Sequence, residues 1–289
     1  PRTMQELKAL GYRIFGNELV LKKNDAYPIR SYIDFEENEE ERQLDPIATL
    51  LEFLNKLKPE ENIWIQILVR PTVDDSWKNA CTKLVEKIRD ETGRTSVETS
   101  TGKLVWVERT PGQLDVLKAI ERCIAKPGFS TVLRYIYISK KEAYDEGFGR
   151  RGVLQAFNQY ASESLNRFEH NILVWTRITP WRWPFLFAKS RRSTREDRIW
   201  ENYRRRHMHD ERFMGRLLEF KFFHWGLTRS EKSVVLNAEE LATIFHPPMS
   251  VVLTGPLIKR VEARKIGPPA GLPIYGEKGE AENLPGTGE

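Results

Sequence analysis

Two stretches of the chain are apolar almost without a break. Residues 62–70 read Asn-Ile-Trp-Ile-Gln-Ile-Leu-Val-Arg, and residues 129–139 read Phe-Ser-Thr-Val-Leu-Arg-Tyr-Ile-Tyr-Ile-Ser. β-Branched and aromatic runs of this length fit strands covered on both faces, and the first is expected to be central in a sheet. Shorter segments read as further strands: 12–15 and 18–21 around a turn at Gly16-Asn17, 29–35 with imperfect alternation, and 171–176.

Between them the apolar positions change to a helical period. Asp45-Pro46 opens a helix whose face is Ile47, Leu50, Leu51, Leu54 and Leu57, closed by Pro59. Trp77, Cys81, Leu84, Val85 and Ile88 stripe a second, over 77–91, and Leu114, Leu117, Ile120 and Ile124 a third, over 113–125. A bend at 147–152 precedes a helix over 153–166, with Leu154, Phe157, Tyr160, Ala161 and Leu165 inward. Residues 4–10 give a short helix ended by Gly11. Near the C-terminus Asn237 can cap a helix, with Glu240 three residues later as in a capping box. Leu241, Ile244 and Phe245 supply its apolar face, and Pro247-Pro248 stops it.

The order strand, helix, strand occurs over 29–70 and again over 129–176. The expected class is therefore α+β, built from two ferredoxin-like halves, residues 1–103 and 104–273. The second half carries a basic helical insertion at 177–232 and a C-terminal docking helix, and 274–289 form a flexible tail.

The chain has 289 residues, enough for one large domain or two ordinary ones. Its 40% hydrophobic content beside 30% charged residues excludes an intrinsically disordered chain. No apolar run reaches membrane-spanning length, and no signal peptide is visible. The first residue is Pro1, so a membrane anchor could lie upstream. The two cysteines, Cys81 and Cys123, sit on helical apolar stripes and are expected reduced and buried.

Charge is unevenly spread. Segment 177–232 holds 12 Arg and 3 Lys against 7 acids, an excess of +8, while the whole chain carries +5, leaving −3 for the rest. Arg191, Arg192, Arg195, Arg198, Arg204, Arg205 and Arg206 alternate there with Trp181, Trp183, Trp200, Tyr203 and Phe213. Guanidinium groups grip phosphate with two donors and rings stack on exposed bases. The same pattern fits an anionic lipid surface, or a solvated basic face over buried stems. The acid-rich run Glu36, Glu37, Glu39, Glu40 and Glu41 reads as a solvated face.

Chemical signatures are sparse. His207 and His209 stand two apart and could converge only in an extended segment. There is no phosphate-binding loop, dinucleotide fingerprint or nucleophile elbow. No catalytic residue, cofactor or metal is expected, and an unrecognised hydrolase built on paired acids is the third reading.

Three stretches carry a resemblance: Asn24-Asp25-Ala26-Tyr27-Pro28-Ile29-Arg30-Ser31-Tyr32; Asp45-Pro46-Ile47-Ala48 with Ile63-Trp64-Ile65-Gln66-Ile67-Leu68-Val69-Arg70-Pro71; and Leu236-Asn237-Ala238-Glu239-Glu240-Leu241-Ala242-Thr243-Ile244-Phe245-His246-Pro247-Pro248. They resemble the soluble non-ATPase region of conjugation or type IV secretion-like proteins of candidate-phyla bacteria. That resemblance implies a non-enzymatic assembly module at the cytoplasmic face of a membrane, peripheral or anchored by a segment outside this chain. It would work with a DNA-translocating ATPase or another apparatus protein. Trp181, Trp183, Glu240, Leu241 and Phe245 are the expected docking residues. Arg191, Arg192, Arg195, Arg198, Trp200, Tyr203 and Arg204–Arg206 are the expected contacts to DNA or an anionic membrane. A homo-oligomer is compatible with both.

Overall fold

In chain order the elements are α1 (Met4–Ala9), β1 (Tyr12–Leu21), α2 (Tyr32–Glu36), α3 (Ala48–Asn55), β2 (Glu61–Pro71), α4 (Ser76–Gly93), β3 (Ser96–Glu98) and β4 (Leu104–Trp106). They continue with α5 (Pro111–Ile124), β5 (Gly128–Lys140), α6 (Glu146–Phe157), β6 (Phe168–His170), α7 (Ala188–Arg204), β7 (Val234–Asn237) and α8 (Ala238–Ile244). This computed structural model describes residues 3–36, 45–72, 75–93, 96–98, 104–106, 110–172, 174–178, 187–209 and 233–248. All of them lie within one compact unit, Pro1–Gly255.

The protein is mixed α/β, built on a five-stranded antiparallel sheet of order β2-β5-β1-β6, with β7 also paired to β5. β5 is the central strand. β2 runs along one of its edges from Phe129 to Ser139, and the other edge is shared by β7 (Gly128 to Thr131) and β1 (Leu133 to Lys140). β3 and β4 form a separate two-stranded hairpin.

Alternation along the strands sends side chains to opposite faces, and both faces are covered. Phe15, Leu19, Leu133, Tyr135 and Tyr137 pack with Phe53 of α3, Val153 and Phe157 of α6 and Ile244 of α8. On the opposite face Ile14, Ile136 and Ile138 pack with Met4 and Leu7 of α1 and Ile199 and Trp200 of α7. A third cluster joins Trp77, Cys81 and Val85 of α4 to Leu117, Ile120 and Cys123 of α5. Both thiols are unpaired and buried there, and burial pushes them up to about 11 and about 12.

Several elements depart from the sequence reading. The expected strand at 29–35 is a loop followed by α2. The Ile29 amide donates to Glu240 Oε1 (2.8 Å) and the Tyr32 amide to Thr243 Oγ1 (3.0 Å), so side chains of α8 take the bonds a neighbouring strand would have taken. In place of the strand expected at 171–176 the described residues form a turn, in which the Val174 and Trp175 amides donate to the Asn171 carbonyl; the strand is the shorter β6 just before it. The two ferredoxin-like halves are therefore not what the sheet displays: β1 and β2 pair with β5 in one layer. β2, expected to be central, is an edge strand among the described residues. The bend expected at 147–152 lies inside α6.

Gly16-Asn17 is no turn. It sits in the middle of β1, where α7 approaches closely: a Cβ on Gly16 would stand 2.8 Å from Ile199 Cγ2. Gly16→Ala is expected to cost about 1–3 kcal/mol through overpacking. Urea unfolding checks this, and a neutral result would mean that α7 shifts freely on the sheet.

Candidate functional site: an aromatic and arginine-lined cleft

α7 crosses the sheet and ends over β2. Its last turn brings Trp200, Tyr203 and Arg204, with Arg206 just beyond, against Trp64 and Gln66 of β2. Together they line an open cleft of about 400 Å³. The Trp64 ring lies 5.9 Å from that of Trp200 and 5.8 Å from that of Tyr203. Trp200 is buried against the sheet, whereas Trp64 remains 39% exposed and presents ring surface to solvent. The chain turns sharply at Arg206, which has φ of 51°. That left-handed conformation is unusual for a side chain larger than glycine and ends the helix at the rim of the cleft.

Beneath the cleft a polar row crosses three strands. Glu18, Arg134 and Gln66 are direct register neighbours on β1, β5 and β2. Arg134 is fully buried and donates from Nε (2.8 Å) and Nη2 (2.6 Å) to Glu18 Oε1. Its Nη1 donates to Gln66 Oε1 (3.1 Å) and to the Asn202 carbonyl (3.0 Å), and Nη2 also reaches the His207 carbonyl (3.2 Å). Gln66 Nε2 donates to the Tyr203 carbonyl (3.1 Å), and Arg70 Nη2 to the His209 carbonyl (3.2 Å). His209 Nε2 lies 2.9 Å from Glu18 Oε2. Segment 202–209 is thus fastened to the sheet through its own backbone carbonyls. Burial alone would raise the Glu18 carboxyl; the hydrogen bond and charge of His209, followed by Arg134, outweigh it and hold that carboxyl below its ordinary range.

The structure divides the expected basic residues into two groups. Trp200, Tyr203, Arg204 and Arg206 meet at the cleft. Arg204 and Arg205 both pair with Glu201, Arg204 at 3.5 Å, while Arg206 pairs with no carboxylate among the described residues. Further back on α7, Arg192 is tied to Glu196 (2.9 Å) and Glu146 (3.3 Å). Arg195 donates to the Trp175 carbonyl (3.0 Å), and burial, followed by the like charges of Arg191 and Arg198, pushes it down to about 10. Arg191 and Arg198 are half-buried beside it. Among the described residues the row is therefore not one continuous solvated face.

The expected docking residues also separate. Phe245 is 70% exposed at the end of α8, and Leu241 is partly buried against the main core. Glu240 faces inward: it is 3% exposed, with its oxygens taken by the Ile29 and Asn237 amides (2.8 Å each). Trp181, Trp183, Phe213, most of the acidic run and the tail at 274–289 lie outside the described residues. His209 is turned towards Glu18, and among the described residues no group of three or more His, Cys, Asp or Glu is placed to hold a metal ion.

Trp64, Gln66, Glu18 and Arg134 are the site residues that sequence reasoning passes over. The signal for Arg134 was present: a lone charge in the middle of an apolar strand must find a buried partner.

Fold and cleft together define an α/β domain with helices on both faces of an antiparallel sheet and an aromatic, cationic recess on one of them. The chain belongs to the family described as Domain of unknown function (DUF8128), whose model matches residues 9–252. No curated protein and no solved structure matches it. No helix among the described residues is long and apolar enough to cross a membrane.

Proposed function

We propose that the chain is a non-enzymatic assembly module of a membrane-associated secretion or conjugation-like apparatus, working beside a DNA-translocating ATPase. The observation that carries its binding role is the open cleft, where Trp64 offers ring surface backed by Trp200 and Tyr203, with Arg204 and Arg206 at the rim. Flat rings supply contact area at low entropic cost, and the guanidinium groups set approach and orientation. The apparatus itself rests on the resemblance of the three sequence stretches. A photo-crosslinking residue at position 64, in native cells, is expected to trap the ATPase or another apparatus protein. Adducts confined to unrelated abundant proteins would overturn the assignment.

One observation favours a second reading, single-stranded nucleic acid. A solvent-facing ring beside Arg206, whose charge no described carboxylate neutralises, suits a stacked base and its phosphate. Under this reading Trp64→Ala weakens binding of labelled single-stranded DNA by about 1–3 kcal/mol. Charge reversal at Arg204, Arg205 and Arg206 removes the steep salt dependence. Duplex DNA and anionic vesicles are the controls. Equal loss on vesicles assigns the cleft to a lipid surface, and no loss on any of the three rules out both ligands.

A further inference from the structure

The end of β6 holds a buried imidazole that neither the cleft nor the polar row beneath it uses. His170 is the last residue of β6, and its Nδ1 lies 3.0 Å from Asn17 Nδ2 and 3.4 Å from the Tyr135 hydroxyl. The Asn17 amide is oriented by the Glu18 amide, which donates to Asn17 Oδ1 (2.8 Å). Asn17 Nδ2 is therefore a donor, and His170 Nδ1 is its acceptor. Burial, followed by the Arg150 charge, pushes the ring down to about 4, so near neutral pH it is uncharged and its one proton sits on Nε2. Nε2 is buried and makes no hydrogen bond, although the Arg150 backbone lies close enough to favour the protonated ring.

Arg150, on α6, is a second donor without an acceptor. Its Nε is buried with no partner, and among the described residues its guanidinium makes no hydrogen bond or ion pair. Burial, followed by the like charges of Arg177 and Arg151, pushes Arg150 below the usual guanidinium range, and Glu146 is the acid that opposes them. That carboxylate is already divided between Arg177 (3.4 Å) and Arg192 (3.3 Å). Arg177 lies two residues beyond Trp175, whose ring is 6.0 Å from that of His170. Helix α6, the end of β6 and the turn after it thus gather two guanidinium groups and an imidazole N–H that are short of acceptors. Buried donors in a folded protein are nearly always satisfied, so such a set points to an acceptor that arrives from outside.

We propose that Arg150, His170 and Arg177 form a site for a phosphoryl group, either inorganic phosphate or the end of a small phosphomonoester. The ligand has to bring negative charge and to accept hydrogen bonds from side chains on different elements. A phosphoryl group does both, with at least three acceptor oxygens and about −1.5 to −2 charge near neutral pH. A carboxylate offers two oxygens in one plane and a single charge. Arg150 would give charge-assisted bonds, and neutral His170 a directed N–H. The half-buried guanidinium of Arg150 leaves a way in from solvent. The site stands apart from the cleft. His170 is the register neighbour of Leu19, on the face covered by α6, whereas α7 covers the opposite face.

The test uses the full chain. Calorimetric titration with inorganic phosphate and, separately, with glycerol 3-phosphate reads affinity, and acetate at matched ionic strength is the control. Nitrogen NMR of histidine-labelled protein reads the two ring nitrogens of His170. Saturable phosphate binding that shifts Nε2 is the expected result. Arg150→Gln is expected to weaken it at least about tenfold. Without phosphate that variant should be as stable as the wild type or more so, because Arg150 has no partner to lose. Arg206→Gln, in the cleft, should bind phosphate as the wild type does. Tighter binding of glycerol 3-phosphate identifies the ligand as a monoester, and equal or weaker binding identifies it as phosphate itself. Phosphate binding that Arg150→Gln leaves unchanged means an adventitious ion only and overturns the proposal. Acetate binding as tight as phosphate overturns it, as does a loss in Arg206→Gln equal to that in Arg150→Gln. Easier unfolding of Arg150→Gln without phosphate would make the guanidinium structural, which is equally fatal. So is the absence of binding by either phosphate compound up to about 10 mM.

Discussion

Glu18→Ala is expected to destabilise the protein by about 3–5 kcal/mol, because it leaves the Arg134 guanidinium buried without its counter-charge. Arg134 is 0% exposed and Glu18 1%, so water cannot replace the lost partner. Gln66 and the carbonyls of Asn202 and His207 would still accept from the guanidinium, but they are neutral dipoles. A loss of that size is a large part of the roughly 5–15 kcal/mol that holds a domain folded. Urea unfolding at neutral pH measures it, and a loss below about 1 kcal/mol would show that the row is not charged as described. The double variant Glu18→Leu, Arg134→Met removes both charges at similar volume, and most of the stability should return. The fastening of 202–209 should not return with it. Hydrogen exchange in that segment is expected to quicken even where melting is restored, which separates the stability of the pair from its hold on the cleft.

Glu240 gives the second large effect. Burial pushes its carboxyl up to about 7, against the Asn237 and Ile29 amides that favour the charged form. In the unfolded chain the same group titrates near the ordinary carboxylate value of about 4.3. Between those two values the native state holds a proton that the unfolded state has released, so stability falls as pH rises. Summed over the whole interval the effect is about 4 kcal/mol, complete about one pH unit above 7. His170 acts in the opposite sense over part of that window. Burial, followed by the charge of Arg150, pushes it down to about 4, so stability from this group is lost as pH falls below its ordinary range. The clean measurement is the stability of wild type minus that of Glu240→Gln across pH 4.5 to 8. That difference should fall by about 3 kcal/mol towards the alkaline end. A flat difference would mean that the two amides keep the carboxylate ionised throughout.

What could be read from the sequence was local. The apolar runs gave β2 and β5 to within a residue or two, and Asn237 with Glu240 does close the capping box on α8 (2.9 and 2.8 Å). The misreadings share a cause in long-range contact. Glycines usually mark turns, but Gly16 makes room for Ile199 of α7, and Gly149 and Gly152 let α6 lie against Tyr137 and Phe53. For Gly16 and Gly152 the partner lies far along the chain, and for Gly149 it lies on the preceding strand β5. Residues 29–35 alternate well enough for a strand, yet their amides are claimed by Glu240 and Thr243, more than two hundred residues away. At the site, Trp200, Tyr203, Arg204 and Arg206 were legible because they crowd together in the chain. Trp64 and Gln66 were not, because the register of β2 on β5 and the crossing of α7 bring them there.

The central place of β5 also sets the order in which the molecule can form. β1 and β2 have no described strand partner before residue 128, and the first β1–β5 contact, Leu19 with Leu133, closes a loop of more than one hundred residues. During synthesis both strands must emerge and wait, edges bare, until Lys140 has left the ribosome. The α4–α5 cluster and the β3–β4 hairpin can gather from neighbouring sequence in the meantime. Pairing in this sheet is therefore non-local and expected to be slow, and a nascent chain stalled before residue 128 lacks the described partner strand of both β1 and β2.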